Sequence, residues 1–322
     1  MRYSLIVNGL GHAFLQEFGC RCDRCRNGDV TANTSVSLVG RDEKSKTIQW
    51  HALVDVGLGV VNSLCRHFPP EEARLDWLLF THWHPDHSLE LNRLCETMRR
   101  SIRRKDKQFH RIPSWFRVGT AQWIQKNYSY EWYRCLKPRI SDESCPPGFL
   151  LEPVPLDREG ITVTPFSVSH YTADIDPADF KNKLYSSASF IVETRERKTI
   201  LLWDVDNMND WLLTTTSGER ARTLKRLRNA DCLFIDCLSW RVEEIRGYNT
   251  GHLAFSTVKK YVRALRPKQT FLVHMSGHED EEGSEGWGWE NSIWQEEAKK
   301  VWTSEGLPGS VRVPSVGEEI PL

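Results

Sequence analysis

The sequence predicts an α/β fold in which sheets are covered by helices. Two observations lead there. Early in the chain, the short apolar runs "YSLIVNG", "SVSLVG" and "HALVDVGLG" are bounded by glycine and read as strands. Later, "DCLFIDCL" and "QTFLVHM" are buried strands that each follow a helical segment. Strand runs that give way to alternating strand and helix argue for packed sheets with helices on their faces. At 322 residues the chain has the length of one large domain or two modest ones, and we read residues 1–322 as a single unit.

The elements can be justified in order. After "HALVDVGLG", residues 60–67 ("VVNSLCRH") read as a helix. "LDWLLFTH" then reads as a buried strand. The stretch 92–150 differs from its surroundings. It holds "MRRSIRRKDKQFHR", "WFRVGTAQWIQKNYSYEWYRC" and a Pro-rich "CPPG", and is expected to be an insertion of basic and aromatic character. It reads either as a solvated helix and loop with aromatics tucked onto the body, or as a lid or rim that holds an anionic ligand. Three strands follow in "GITVTPFSVSH", "SASFIVET" and "KTILLWDVD". In "LAFSTVKKYVRALRP", Leu253, Thr257, Val258, Tyr261, Val262 and Leu265 share one helical face, and Pro267 stops the helix. The acidic, Trp-rich "HEDEEGSEGWGWENSIW" reads as an exposed loop that packs its indoles back on the domain.

Composition narrows the class of function. Lys plus Arg and Asp plus Glu are each 43, so no global charge draws the chain to nucleic acid or a membrane. The apolar runs are strand-sized, too short for a transmembrane helix. The start "MRYSLIVNGLGHA" is too short for a secretory signal, so a cytoplasmic location is expected. Nine cysteines in a large chain of this kind point to metal binding or free thiols before disulfides. Cys20, Cys22 and Cys25 cluster in "GCRCDRC"; the others are scattered and read as core or neutral surface thiols.

The stretch "FTHWHPDHSLE" packs His82, His84, Asp86 and His87 together directly after a buried strand. His82 and His84 can reach into one loop-bound site. Asp86 and His87 cannot point the same way, so the spacing suits two adjacent metal ions. Further ligands are expected at strand ends: His170 in "FSVSHY", Asp204 in "LLWDVD" and His274 in "FLVHMSGH". Neutral imidazoles and carboxylates suit zinc, manganese or iron. Asp204 is the carboxylate placed to bridge the two ions, with Asp206 as its rival.

"THWHPDH" resembles the HxHxDH signature of the metallo-β-lactamase superfamily, and His170, Asp204 and His274 match its remaining ligand positions in order. The resemblance covers nearly the whole chain and implies an αββα sandwich with the metals at one edge between the sheets. It implies that His82, His84 and His170 hold one ion, that Asp86, His87 and His274 hold the other, and that Asp204 bridges. Asp55 in "LVDVG" matches a position that orients the ligand loop. "NGLGHAFLQEFGCRCDRCRNG" further resembles the amino-terminal segment of cyclic ribose-phosphate phosphodiesterases of the carbon–phosphorus lyase pathway. By that resemblance Cys20, Cys22, Cys25 and His278 hold a third, structural zinc. The relative spaces its two histidines three apart, whereas His274 and His278 are four apart here. His252 in "TGHLAFSTV" resembles the position where such enzymes keep a histidine near the leaving group. At a helix start it needs a partner to act as an acid.

These readings imply a metal-dependent hydrolase with two active-site divalent metals, zinc or manganese. A hydroxide made between two cations near neutral pH would attack a small or cyclic phosphodiester. Asp86 and His252 are the residues expected to carry the chemistry. The alternatives are a lactone or ester hydrolase of the same fold, or a metal-binding accessory protein of cofactor or secondary-metabolite biosynthesis. The expected partner is a small-molecule substrate; nucleic acid and membrane are not expected, and family habit suggests a homodimer.

Overall fold

The computed structural model describes all residues except 15, 27–31, 106, 142–143, 177–178, 215–216 and 242–250; for residue 180 only the backbone is described. Small pieces of the cysteine segment and of 92–150, and the residues leading up to Gly251, therefore lie outside the described residues.

The strands in chain order are β1 (Arg2–Gly9), β2 (Ser35–Arg41), β3 (Ile48–Val54), β4 (Trp77–Leu79), β5 (Ile112–Arg117), β6 (Leu136–Ser141), β7 (Ile161–Ser167), β8 (Ile175–Asp176), β9 (Asp179–Lys183), β10 (Ala188–Thr194), β11 (Lys198–Leu202), β12 (Cys232–Asp236), β13 (Gln269–Val273), β14 (Ser310–Arg312) and β15 (Glu319–Pro321). One sheet runs β15-β1-β2-β3-β4-β5-β6, the other β14-β13-β12-β11-β10-β7, and β8 pairs with β9 alone. In the first, β15, β1, β2 and β3 are antiparallel and β4, β5 and β6 run parallel to β3. In the second, β11 to β14 are parallel and β10 and β7 antiparallel.

Alternation along each strand builds the layers. Val7, Leu38, Ala52, Val54 and Leu79 of the first sheet share a core with Phe190, Ile200, Leu202, Phe234 and Phe271 of the second. Their strand neighbours Leu53 and Leu78 face the other way, where helices Val60–His67 and Leu91–Arg104 cover them with Val60, Val61 and Leu94. Helix Phe255–Leu265 buries Thr257, Val258, Tyr261, Val262 and Leu265, as its spacing predicts. It ends where Arg266 turns left-handed ahead of Pro267. The αββα sandwich expected from the sequence is thus the architecture. The indoles of the acidic stretch also turn inward: Trp240 stacks on Phe255 at 4.2 Å and meets Trp289 at 5.0 Å and Trp294 at 5.3 Å.

Residues 92–150 hold most of helix Leu91–Arg104, helices Val118–Asn127 and Ser129–Arg134, and strands β5 and β6. Those two strands carry the first sheet onward from β4, with Leu78 opposite Ser114 and Ile112 opposite Leu136. The sequence hides them because Pro113 and Pro138 interrupt short apolar runs, and proline inside a run demotes a strand.

Parallel neighbours end at the same sheet edge, and that edge collects polar residues singled out above together with Asp236. Asp55 follows β3, Asp204 lies just past β11, Asp236 closes β12 and His274 follows β13. Asp55, Asp204 and His274 have φ of 61°, 55° and 61°. Left-handed backbone is uncommon for residues with a Cβ and clusters at functional sites. Here it turns each chain sharply off its strand.

Gly57 shows how tightly this edge is built. A Cβ there would lie 1.7 Å from the Asp86 carbonyl oxygen and 2.7 Å from Asn33 Cβ. Both neighbours are held, since Val56 N donates to His87 O and Asn33 Oδ1 accepts from Leu58 N. We expect Gly57→Ala to push the Asp86–His87 turn away, lowering stability by about 1–3 kcal/mol and weakening divalent-metal binding. Thermal melting and metal titration check this; an unchanged protein by both would contradict the packing described.

Candidate metal centre

β4 delivers Phe80 and Thr81 to the sheet edge. Thr81 N and Thr81 Oγ1 donate to the Asp55 carboxylate at 2.8 and 2.7 Å. His82, Trp83 and His84 follow, and Pro85 starts the short helix Pro85–Ser88 that carries Asp86 and His87. Ser88 Oγ donates to the carbonyls of Trp83 and His84 and locks the turn. The structure brings together every expected ligand of the cluster. His82, His84 and His170 form one group whose donor atoms lie within 4.8 Å of one another, and Asp86, His87, Asp204 and His274 form a second. Asp204 touches both: its oxygens lie 3.0 Å from His87 Nε2, 3.2 Å from His274 Nε2, and 3.8 Å from His82 Nε2 and His170 Nε2.

Outer partners fix which imidazole nitrogen faces inward. His87 Nδ1 donates to Asp55 Oδ2 at 2.8 Å, and His170 Nδ1 donates to the Gly251 carbonyl at 2.9 Å. Both acceptors are without protons, so Nδ1 carries the proton of the neutral ring and Nε2 then offers its lone pair inward. His82 Nδ1 meets Thr81 Oγ1, whose proton goes to Asp55. His274 Nδ1 meets Thr34 Oγ1, whose proton goes to the Gly11 carbonyl. His84 instead turns Nδ1 toward His170 Nε2, at 3.2 Å. Asp55 also accepts from Trp203 Nε1 at 3.0 Å, so its carboxylate is fully engaged in orienting the loop.

The donor set fits divalent cations. His82 Nε2, His87 Nε2, His274 Nε2 and Asp204 Oδ2 are buried without a hydrogen-bond partner. Such atoms are costly to leave unmatched. Asp55, Asp86, Asp204 and Asp236 are all buried, and among the described residues no Lys or Arg pairs with any of them. Buried carboxylates need positive charge nearby. Burial, joined by His87, His84 and His170, pushes His82 well below the ordinary histidine range, and burial with His84 and His252 does the same to His170. Burial alone would raise Asp204, but His274, His87 and His82 hold it well below the carboxylate range. His87 lies the other way: burial opposes its charge, yet Asp204, Asp86 and Asp55 raise it well above.

Asp206, the rival bridge, stands outside both groups. It accepts from Ser169 Oγ and Tyr171 N at 2.8 Å each and so shapes the loop that carries His170. His252 sits beside the cluster, its ring 5.0 Å from His170 and 5.1 Å from His274. Its Nδ1 lies 2.9 Å from Asp236 Oδ2, which also accepts from Asp204 N at 3.0 Å. Burial opposes charge on His252, but Asp236 and then Asp204 and Asp86 raise it to about 9. Asp236 and His12 went unremarked in the sequence. The signal for Asp236 was the apolar run ending in Asp that also marks Asp55 and Asp204, and for His12 a Gly turn at the end of the first strand. Trp83, between two ligands, stacks on Trp123 at 4.9 Å and donates to the Ala173 carbonyl at 3.0 Å. The aromatic segment therefore reaches the rim of the cluster.

The cysteines form a separate cluster. Cys20, Cys22, Cys25 and His278 offer donor atoms within 4.8 Å, and His278 Nε2 lies 3.2 Å from Cys22 Sγ and 3.0 Å from Cys25 Sγ. The backbone amides of Cys22, Cys25 and Glu17 point at the three sulfurs. That is the arrangement thiolate ligands need. The wider histidine spacing is absorbed by Gly277, whose φ is 80°.

A family described as a beta-lactamase superfamily domain matches residues 51–275. No curated protein sequence matches the chain. Among solved structures, the chain is similar to a diphosphatase from the PhnP family (17% identity, 100% of this chain and 98% of that one, TM-score 0.64). It is also similar to zinc-bound PqqB from Methylobacterium extorquens (15%, 99% and 100%, 0.65). A third is the metallo-β-lactamase fold protein YhfI from Bacillus subtilis (14%, 100% and 100%, 0.60). At these identities the likeness is one of fold.

Two outcomes follow from the geometry. Asp55→Ala strips the partner from His87 Nδ1, Trp203 Nε1 and Thr81, and is expected to weaken metal binding about 10- to 100-fold, read by chelator competition. Cys22→Ser is expected to lower the number of divalent metal ions bound per chain by one and lower the melting temperature, while binding at the histidine cluster remains. Loss of every ion in Cys22→Ser would show that the two clusters do not bind separately.

Proposed function

The chain belongs to the β-lactamase superfamily, and from that premise we propose that it is a metal-dependent hydrolase of a small or cyclic phosphodiester. The observation that supports this most is Asp204, which reaches both ligand groups while its own backbone amide is tied, through Asp236, to His252. In this reading His82, His84 and His170 would hold one divalent cation, Asp86, His87 and His274 a second, and Asp204 would serve both groups. Zinc or manganese bound there supplies Lewis-acid charge and lowers the pKa of water.

The chain's own residues do the rest. Asp55, Thr81, Thr34 and the Gly251 carbonyl hold the imidazoles with their lone pairs inward, so no reorientation is needed when substrate arrives. Asp236 holds His252 by Nδ1, and in this reading the histidine gives a proton to the departing oxygen. The helix-start position that argued for a partner is thus met by a carboxylate. Trp83 packs on His84 and Trp123 and so holds the ligand loop from one side. The phosphodiester, as against another ester, is supported by the Cys20, Cys22, Cys25 and His278 cluster, which resembles that of cyclic ribose-phosphate phosphodiesterases and would hold a third, structural zinc. We further propose that 1–322 folds as one unit, because β1 and β15 pair and join both ends of the chain in one sheet.

A chromogenic phosphodiester assayed beside a lactone and ester panel tests the reading. Diester cleavage is expected, abolished in Asp86→Ala and reduced roughly 10²- to 10⁴-fold in His252→Ala with metal content unchanged. Ester or lactone turnover without diester cleavage would overturn the substrate class, and a normal rate in His252→Ala would overturn the role of that histidine.

A further inference from the structure

His12 has no role in the account so far, yet it is only 6% exposed and lies against the cluster. Its ring stands edge-on to His252 and to His274, with centroids 4.9 Å away in each case. A donor atom of His12 comes within 4.8 Å of one from each. The backbone that carries it is pinned from both sheets. Leu10 N and Gly11 N donate to the Ala32 carbonyl, His274 N donates to the Leu10 carbonyl, and Asn33 Nδ2 donates to the His12 carbonyl at 2.9 Å. The ring is therefore placed by the fold and is not a loose loop side chain.

The hydrogen bonding of the ring is half spent. Nδ1 accepts from Phe14 N at 3.4 Å, which puts the proton on Nε2. Among the described residues no acceptor meets that N–H. A donor on a ring only 6% exposed, beside a cluster of ligands and without an acceptor among the described residues, is placed to meet something that binds.

We propose that His12 is a substrate-binding residue that donates a hydrogen bond from Nε2 to a non-bridging oxygen of a phosphoryl group, and so selects phosphoryl over acyl substrates. This rests on the hydrolase reading given above. His252 reaches the site from the loop after β12 and His12 from the end of β1, so two imidazoles from different sheets flank one bound group. An acyl group has a single non-leaving oxygen, which the metal cluster accounts for. A phosphodiester has two non-bridging oxygens, and charge spreads over the equatorial oxygens at the transition state. The second oxygen needs a donor of its own, and His12 is the one the fold supplies.

The test compares wild type, His12→Ala and His12→Gln in the metal-loaded protein. Inorganic phosphate is the probe, with its affinity read by calorimetry. His12→Ala is expected to bind phosphate about 10- to 100-fold more weakly with equal metal content and equal melting temperature. His12→Gln, which restores an N–H donor, is expected to recover part of the loss, and it carries the test if the alanine variant folds poorly. Equal phosphate affinity in wild type and both variants would overturn the proposal, as would loss of a metal ion in His12→Ala or a wild type that does not bind phosphate. A wild type that binds phosphate through His12 but cleaves no diester would overturn the hydrolase reading while leaving His12 as a phosphoryl-binding residue.

Discussion

Imidazole lone pairs and carboxylates that face one another in a buried space repel, and the rest of the site depends on how the fold forces them together. His84 Nδ1 and His170 Nε2 stand 3.2 Å apart, and Asp86 and Asp204 crowd His87 Nε2. Left to itself such a set would protonate or spread. It is held by a ring of outer hydrogen bonds from Asp55, Thr81, Thr34 and Gly251, each of which takes the outward N–H of one ring. Bound cations would resolve the repulsion, and a fold that holds these groups together in advance suits them to take up metal.

The sheets supply the rigidity this requires. Parallel strands end together, so β3 with β4 in one sheet and β11, β12 and β13 in the other deliver their terminal residues to one edge. Left-handed backbone at Asp55, Asp204 and His274 turns each chain off its strand at that edge. Gly57 lets the first of these turns press against the Asp86 carbonyl, and Trp203 ties the neighbour of Asp204 back to Asp55. The strain is spread over several strand ends, each backed by the common core. The second tier, Asp236 with His252 and the pinned segment around His12, then stands on the ligands themselves.

Much of this was legible in the sequence because it rests on local pattern. Apolar runs ending in Asp or His marked the strand ends at Asp55, Asp204 and His274, and the helix 60–67 was given by its own residues. β5 and β6 were hidden, since Pro113 and Pro138 broke their runs and only the pairing of β5 with β4 and of β6 with β5 makes them strands. Asp236 carried the same signal as Asp204 but sat in an apolar run that reads as core. His12 could be seen as a histidine after a glycine turn, but its closeness to His252 and His274 arises from a contact between sheets that no local window contains. The tautomers of the ligands likewise depend on Thr34 and Gly251, far away along the chain.

The central claim is that one carboxylate is shared between two metal ions. Anomalous diffraction from crystals of the zinc-loaded protein tests it most directly. The account predicts two ions about 3.5–4 Å apart with Asp204 in contact with both, and a third among Cys20, Cys22, Cys25 and His278. A single ion in the histidine cluster, or two ions of which Asp204 touches only one, would contradict it.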